Sequence, residues 1–205
     1  MARARLTRKR LLGLDRSGPP DPHTLAGQPL NPWTIPNAIG FIRIALIPVF
    51  LVIALSSGDG REASASILYA VIGGTDYLDG MVARVTGQYS RLGTLLDPIT
   101  DRLLVISGVV VCWHFELLPR WALAVLIARE VVMLALSRLA QTHGVEIQIN
   151  MLGRWAVWPT MFSLFLAMVS VTWVAEALLY LGLAMTLGAT ALYVQAGLQA
   201  TRPSS

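Results

Sequence analysis

From Ile35 to Gly197 the chain is a series of apolar stretches separated by short polar turns. Each stretch is close to the roughly 20 apolar residues that a membrane-crossing helix needs. The pattern predicts an all-α integral membrane protein with six transmembrane helices. They cover Ile35–Leu55, Ala63–Arg84, Leu92–Phe115 and Trp121–Ala140, with two more starting near Trp155 and Val174, the last ending near Gly197. Pro36 suits a first helical turn, and Pro48 marks an expected kink. Composition agrees: 55% of the 205 residues are hydrophobic and 14% charged, against about a quarter charged in a typical soluble domain. Mean hydropathy is +0.60. No internal repeat, strand pattern or low-complexity segment interrupts the series.

The 16 basic residues are unevenly spread. Arg3, Arg5, Arg8, Lys9, Arg10 and Arg16 lie ahead of the first apolar stretch, followed by a Pro/Gly-rich spacer. Residues 1–33 therefore read as a basic cytosolic tail, of which 1–14 could form an interfacial helix on anionic lipid. Residues 34–200 read as one membrane domain. No small-residue cleavage pattern follows the first apolar stretch, so a retained tail is expected rather than a signal peptide. With the tail in the cytosol, cytosolic segments hold 11 basic residues and the opposite loops hold Arg61 and Arg120. That imbalance predicts a multi-pass protein of the cell membrane with both termini cytosolic. Membrane lipid, and not nucleic acid, is the expected partner. Cys112 is the single cysteine, so no intrachain disulfide can form. Trp113, Trp121, Trp155, Trp158 and Trp173 fall near predicted helix ends and fit an interfacial belt, while His23, His114 and His143 read as solvated.

Four aspartates stand where the second and third predicted helices meet. Asp76 and Asp79 are three apart, Asp97 and Asp101 four apart, and either spacing puts both side chains on one helix face. Two helices joined by a short turn could point all four into one space, where they would repel unless a cation sat among them. With no His or Cys beside them, such hard oxygen donors suit Mg²⁺, Mn²⁺ or Ca²⁺ rather than zinc. Small residues, Gly80, Ala83 and Gly93, adjoin the carboxylates and let a ligand or another helix come close to the backbone. Arg84 supplies a cation one turn on, suited to a phosphate. The plain structural alternative is that the aspartates pair with Arg84, Arg91 and Arg102 at a helix boundary.

The eight residues Asp76, Asp79, Gly80, Ala83, Arg84, Gly93, Asp97 and Asp101, at these gaps, are similar position for position to the signature of the CDP-alcohol phosphotransferase family. The resemblance runs over roughly Pro36 to Gly153 and includes an opening Pro36-Asn37 followed by Arg43. It implies transfer of a substituted phosphate from a CDP-linked donor, usually CDP-diacylglycerol, to an alcohol with release of CMP. It also implies that Asp76, Asp79, Asp97 and Asp101 hold Mg²⁺ or Mn²⁺, and that Asp101 is the general base for the acceptor hydroxyl. Asp76, Gly80, Ala83, Arg84 and Gly93 would border the CDP group, and a homodimer is implied as well. Asn37 and Arg43 are weaker candidates, Asn37 also suiting a cap or a packing role.

The signature does not select the acceptor. In LIAREVVMLALSRLAQTHG, Arg129 and Arg138, with Arg154 in the next expected loop, are candidates for a basic pocket facing the aspartates and taking a phosphate-bearing acceptor. The Arg129-Glu130 pair followed by Gly153-Arg154 resembles phosphatidylglycerophosphate synthases, which use glycerol 3-phosphate, although Arg154 stands where those carry a Lys. The stretch SRLGTLLDPITDRLLVISGVVV also resembles actinobacterial cardiolipin synthases, whose acceptor is phosphatidylglycerol. Glycerol 3-phosphate is the first expectation and phosphatidylglycerol the alternative. A divalent-cation transporter is the alternative of another class. It would need polar residues through both halves of the bilayer, and the outer halves of helices two and three offer no acidic ones.

Overall fold

The computed structural model describes residues 29–142 and 151–200, apart from the side chains of Tyr77, Arg84 and residues 137–142, 151–154 and 196–200. The expected basic segment at 1–14 lies outside the described residues. Six helices appear and, among the described residues, no strand: α1 Ile35–Leu55, α2 Ala63–Thr86, α3 Arg91–His114, α4 Arg120–Thr142, α5 Met151–Val169 and α6 Trp173–Ala200.

Local chemistry explains the boundaries that matter. Thr34 caps α1, its Oγ1 accepting from the Asn37 backbone N–H at 3.3 Å, with Pro36 in the first turn where no intrahelical donor is needed. Helix α2 stops at Thr86 because Gly87 adopts φ +67°, the left-handed conformation that ends helices and that only glycine takes without strain. Ser90 then caps α3, its Oγ accepting the Gly93 N–H at 3.0 Å. Only residues 87–90 separate the two aspartate-bearing helices. Helix α5 begins at Met151, one turn before the expected start at Trp155. Gly153 and Arg154, expected in a loop, are therefore helical. Met151 and Leu152 already supply good helix formers, and an internal glycine weakens a helix without ending it.

The described residues fall into two compact units, one of residues up to Ile53 with Ile67–Leu104, the other of Ala54–Ser66 with residues from Val105 onward. In the first unit Phe50 and Tyr69 are buried, ring centroids 5.3 Å apart, with Ile47, Ile72 and Leu104 also buried. In the second, α6 packs on α5 and α4. Gly182 of α6 lies so close to Thr160 of α5 that an added Cβ would meet the Thr160 hydroxyl and lie 3.0 Å from its backbone nitrogen. Trp121 and Tyr180 stack at 5.5 Å, and the Ser163 hydroxyl donates to the Ala175 carbonyl at 2.6 Å. Cys112 is buried.

Many large apolar side chains face outward, among them Ile42 and Val52 on α1, Val131 on α4, Phe162 on α5 and Leu181 on α6. Two helices, Ile35–Leu55 and Trp173–Gln195, are long and apolar enough to cross a membrane.

Candidate active site

Helix α1 brings the first unexpected element. Arg43 is 1% exposed, and its guanidinium reaches three of the four aspartates. One terminal nitrogen donates to Asp76 Oδ1 at 2.8 Å and to Asp79 Oδ2 at 3.1 Å, and the other donates to Asp101 Oδ1 at 3.1 Å. Nε donates to the backbone carbonyl of Ile72 at 3.2 Å, which fixes the plane of the group. Asp79 is almost as buried as the arginine, while the side chains of Asp76 and Asp101 are each 42% exposed. The expected convergence of carboxylates from two helices is thus present for Asp76, Asp79 and Asp101. A cation set against them is Arg43, which the pairing alternative with Arg84, Arg91 and Arg102 does not include. Charge compensation in a site of low polarity explains the choice: a buried guanidinium is tolerated only when carboxylates surround it.

Asp97 takes part differently. It is exposed and lines a cavity together with Asp79, Gly80, Ala83, Gly93, Pro36, Asn37, Gly40, Gln88, Tyr89, Ser90, Thr94 and Leu96. Asp79 is common to the cavity and to the arginine cluster. Four residues expected at the site, Gly80, Ala83, Gly93 and Asp97, are therefore on one wall system with it. Arg84 lies in α2, and its side chain is outside the described residues.

Asn37 is a structural staple. Its Nδ2 donates to the carbonyls of Asn31 and Pro32 at 3.0 and 3.1 Å, and its Oδ1 accepts from Ser90 Oγ at 2.8 Å. One side chain thereby ties the segment before α1 to the turn between α2 and α3. A Cβ on Gly93 would lie 2.9 Å from Asn37 Oδ1 and 3.2 Å from Ser90 Oγ. The close approach that Gly93 permits is consequently made first by Asn37 and Ser90. Gln88 Oε1 accepts the Ile35 N–H at 3.0 Å, and the Leu92 N–H donates to the Leu30 carbonyl at 3.2 Å, reinforcing the same junction.

The donor set is four carboxylates with no nitrogen or sulfur ligand, the chemistry that Mg²⁺ or Mn²⁺ prefers. One guanidinium balances a single negative charge, so the set also fits a divalent ion in charge. In position, three of the carboxylates are turned onto Arg43. Among the described residues no three His, Cys, Asp or Glu side chains stand together as an ion's ligand set.

The acceptor candidates fare less uniformly. In the second unit Arg129 is mostly buried, ion-paired with Glu130 through a terminal nitrogen, and its Nε donates to Thr190 Oγ1 at 3.2 Å. Arg138 and Arg154 lie in α4 and α5, with side chains outside the described residues. Nine residues along α4 are about two and a half turns, so the backbone positions of Arg129 and Arg138 fall on opposite sides of the helix.

Arg43 and Asn37 are more central than their place on α1 suggests in the sequence, and Gln88, Tyr89 and Ser90 join the cavity lining without a sequence motif of their own. A charged residue in the middle of the most apolar stretch was the available signal for Arg43. The serine three residues before Gly93 was the signal for a cap.

Comparison with known proteins bears on the family. A family model described as CDP-alcohol phosphatidyltransferase matches residues 33–188. Over 170 residues the chain is 37% identical to a CMP-forming cardiolipin synthase of Streptomyces coelicolor, covering 80% of this chain and 79% of that one. It is 33% identical over 138 residues to a CDP-diacylglycerol–glycerol-3-phosphate 3-phosphatidyltransferase of Bacillus subtilis, covering 62% and 72%. A protein of the same name from Pseudomonas fluorescens is 38% identical over 104 residues, covering 50% and 53%. The aspartate signature, its placement on two capped helices and these matches together show that the chain belongs to the CDP-alcohol phosphatidyltransferase family.

Proposed function

We propose that the protein is a membrane enzyme that transfers the phosphatidyl group of CDP-diacylglycerol to the hydroxyl of a phosphate-bearing glycerol, releasing CMP. The observation that carries the reading is the convergence of Asp76, Asp79 and Asp101, with Asp79 also lining the cavity that holds Gly80, Ala83, Gly93 and Asp97. Asp101 takes the proton of the acceptor hydroxyl, and its half-exposed side chain suits a group that must meet a second substrate. The hydroxyl oxygen then bonds to the phosphorus that carries the diacylglycerol, and the phosphoanhydride bond to CMP breaks, its electron pair leaving with CMP. Gly80, Ala83 and Gly93 let the nucleotide approach the helix backbones, and Arg84 meets its phosphate. Asp76, Asp79, Asp97 and Asp101 would hold Mg²⁺ or Mn²⁺. Bound there, the metal would offset the negative charge of the pyrophosphate.

All six helices would cross the bilayer, with both termini and the aspartate turn on the cytosolic side of the cell membrane. Support comes from the two strongly apolar helices, from helix lengths of 19–28 residues, and from the outward-facing apolar and tryptophan side chains. A homodimer belongs to the same reading.

Glycerol 3-phosphate, giving phosphatidylglycerophosphate, is the first acceptor. Phosphatidylglycerol, giving cardiolipin, is the second, and the longer match to the Streptomyces cardiolipin synthase favours it by breadth. Arg129 and Arg154 are proposed contacts for the acceptor's phosphate, with Arg138 as a further candidate. The test is CMP release by purified protein given CDP-diacylglycerol, Mg²⁺ or Mn²⁺ and each acceptor in turn. CMP formed with one acceptor and lost in Asp101→Asn supports the proposal. No CMP with any acceptor, together with divalent-ion uptake into liposomes, would replace it with the transporter.

A further inference from the structure

Arg43 is the most deeply buried charged side chain described, yet it comes from α1, which carries none of the aspartates. It touches carboxylates on both α2 and α3, taking one oxygen from each of Asp76, Asp79 and Asp101. Its fourth bond goes to the Ile72 backbone, so the guanidinium cannot rotate without giving up a contact in α2. Guanidinium is planar, permanently charged and able to serve several acceptors from one rigid fork, which an ammonium cannot do. Three carboxylates brought this close would repel one another in a partly buried site without a cation between them. The guanidinium would be equally unstable there without its carboxylates. Neither half of the cluster stands alone.

We propose that Arg43 is the resident counter-cation of the carboxylate cluster. It is a positioning residue that keeps Asp76, Asp79 and Asp101 converged in the absence of a divalent ion, and so presents a preformed site to the donor and its metal. The role as a positioning residue rests on the phosphatidyl-transfer reading; the role as counter-cation does not.

Two substitutions separate charge from shape. Arg43→Gln removes the charge and keeps a donor, and Arg43→Lys keeps the charge and loses the fork. Wild-type and variant proteins, purified in detergent, are melted in EDTA and in excess Mg²⁺, and CMP release is measured. The wild type is expected to gain less in melting temperature from Mg²⁺ than Arg43→Gln does, since its cluster is already charge-compensated. Arg43→Gln is expected to melt on the order of 10 °C lower in EDTA and to regain much of that in Mg²⁺. Its kcat should fall about 100-fold with little change in the KM for CDP-diacylglycerol, since displaced carboxylates misplace the reacting groups. Arg43→Lys should melt between the two in EDTA and still lose kcat.

Equal melting of Arg43→Gln and wild type in EDTA would overturn the proposal. If Arg43→Gln yields no folded protein, Arg43→Lys decides: a melt more Mg²⁺-dependent than the wild type's supports the role, and an unchanged melt with unchanged kcat removes it. If the wild type releases no CMP with any acceptor, the phosphatidyl-transfer reading fails, while the melting comparison still tests the counter-cation.

Discussion

Gly93 shows how tightly the site's rim is built at the scale of one residue. A methyl group there would sit 2.9 Å from Asn37 Oδ1 and 3.2 Å from Ser90 Oγ, both shorter than ordinary contact. Asn37 has little room to yield, because its amide holds Asn31, Pro32 and Ser90 at once. Gly93→Ala is therefore expected to destabilise the protein by about 1–3 kcal/mol and to lower the rate of CMP release. Both can be read from a melting curve and a single-acceptor assay. Adding Asn37→Ala removes the nearer of the two contacts, so the methyl should cost less in the Asn37→Ala background than in the wild type, with Ser90 Oγ still 3.2 Å away. The aspartates were legible from spacing, because the three- and four-residue periods of a helix are visible in any sequence. The duty of Asn37 was not, since its partners are backbone carbonyls five and six residues back and a serine 53 residues on.

The helices themselves follow from apolar periodicity and from caps. The ends of α2 and α3 are set by Gly87 and Ser90, both readable as turn and cap residues once the helices on either side are recognised. The early start of α5 was less visible, because a glycine and an arginine ahead of a tryptophan read equally well as a loop. The contact between α5 and α6 depends on Gly182. Its missing side chain leaves space for Thr160, whose hydroxyl donates to the Ala156 carbonyl at 3.0 Å. Gly182→Ala should cost about 1–3 kcal/mol. Thr160→Ala should restore only part of that loss, since backbone atoms of Thr160 also lie 3.0 and 3.2 Å from the new methyl. Thermal unfolding of the two single variants and the double variant checks the order.

At the scale of the whole chain, the charges on α2, α3 and α4 make those helices less apolar than α1 and α6, and α2 and α3 carry the aspartates. Hydropathy thus points to the membrane and, by its exceptions, to the site. It could not show which cation meets the aspartates, because that depends on how α1 packs rather than on any local pattern. Two further measurements belong at this scale. Chelation with EDTA is expected to abolish CMP release and excess Mg²⁺ or Mn²⁺ to restore it. Arg129→Ala should raise the KM for the acceptor and leave that for CDP-diacylglycerol unchanged; equal effects on both would remove Arg129 from acceptor binding. Because three carboxylates share Arg43, positions 43, 76, 79 and 101 are not free to drift one at a time. Losing the arginine strands three like charges, and losing one carboxylate alters the balance for the other two. Double-mutant cycles between Arg43 and Asp79 should show coupling of about 0.5–3 kcal/mol. A lineage carrying this site would be expected to inherit the four residues as a block, with replacement paths that run through paired changes rather than single ones.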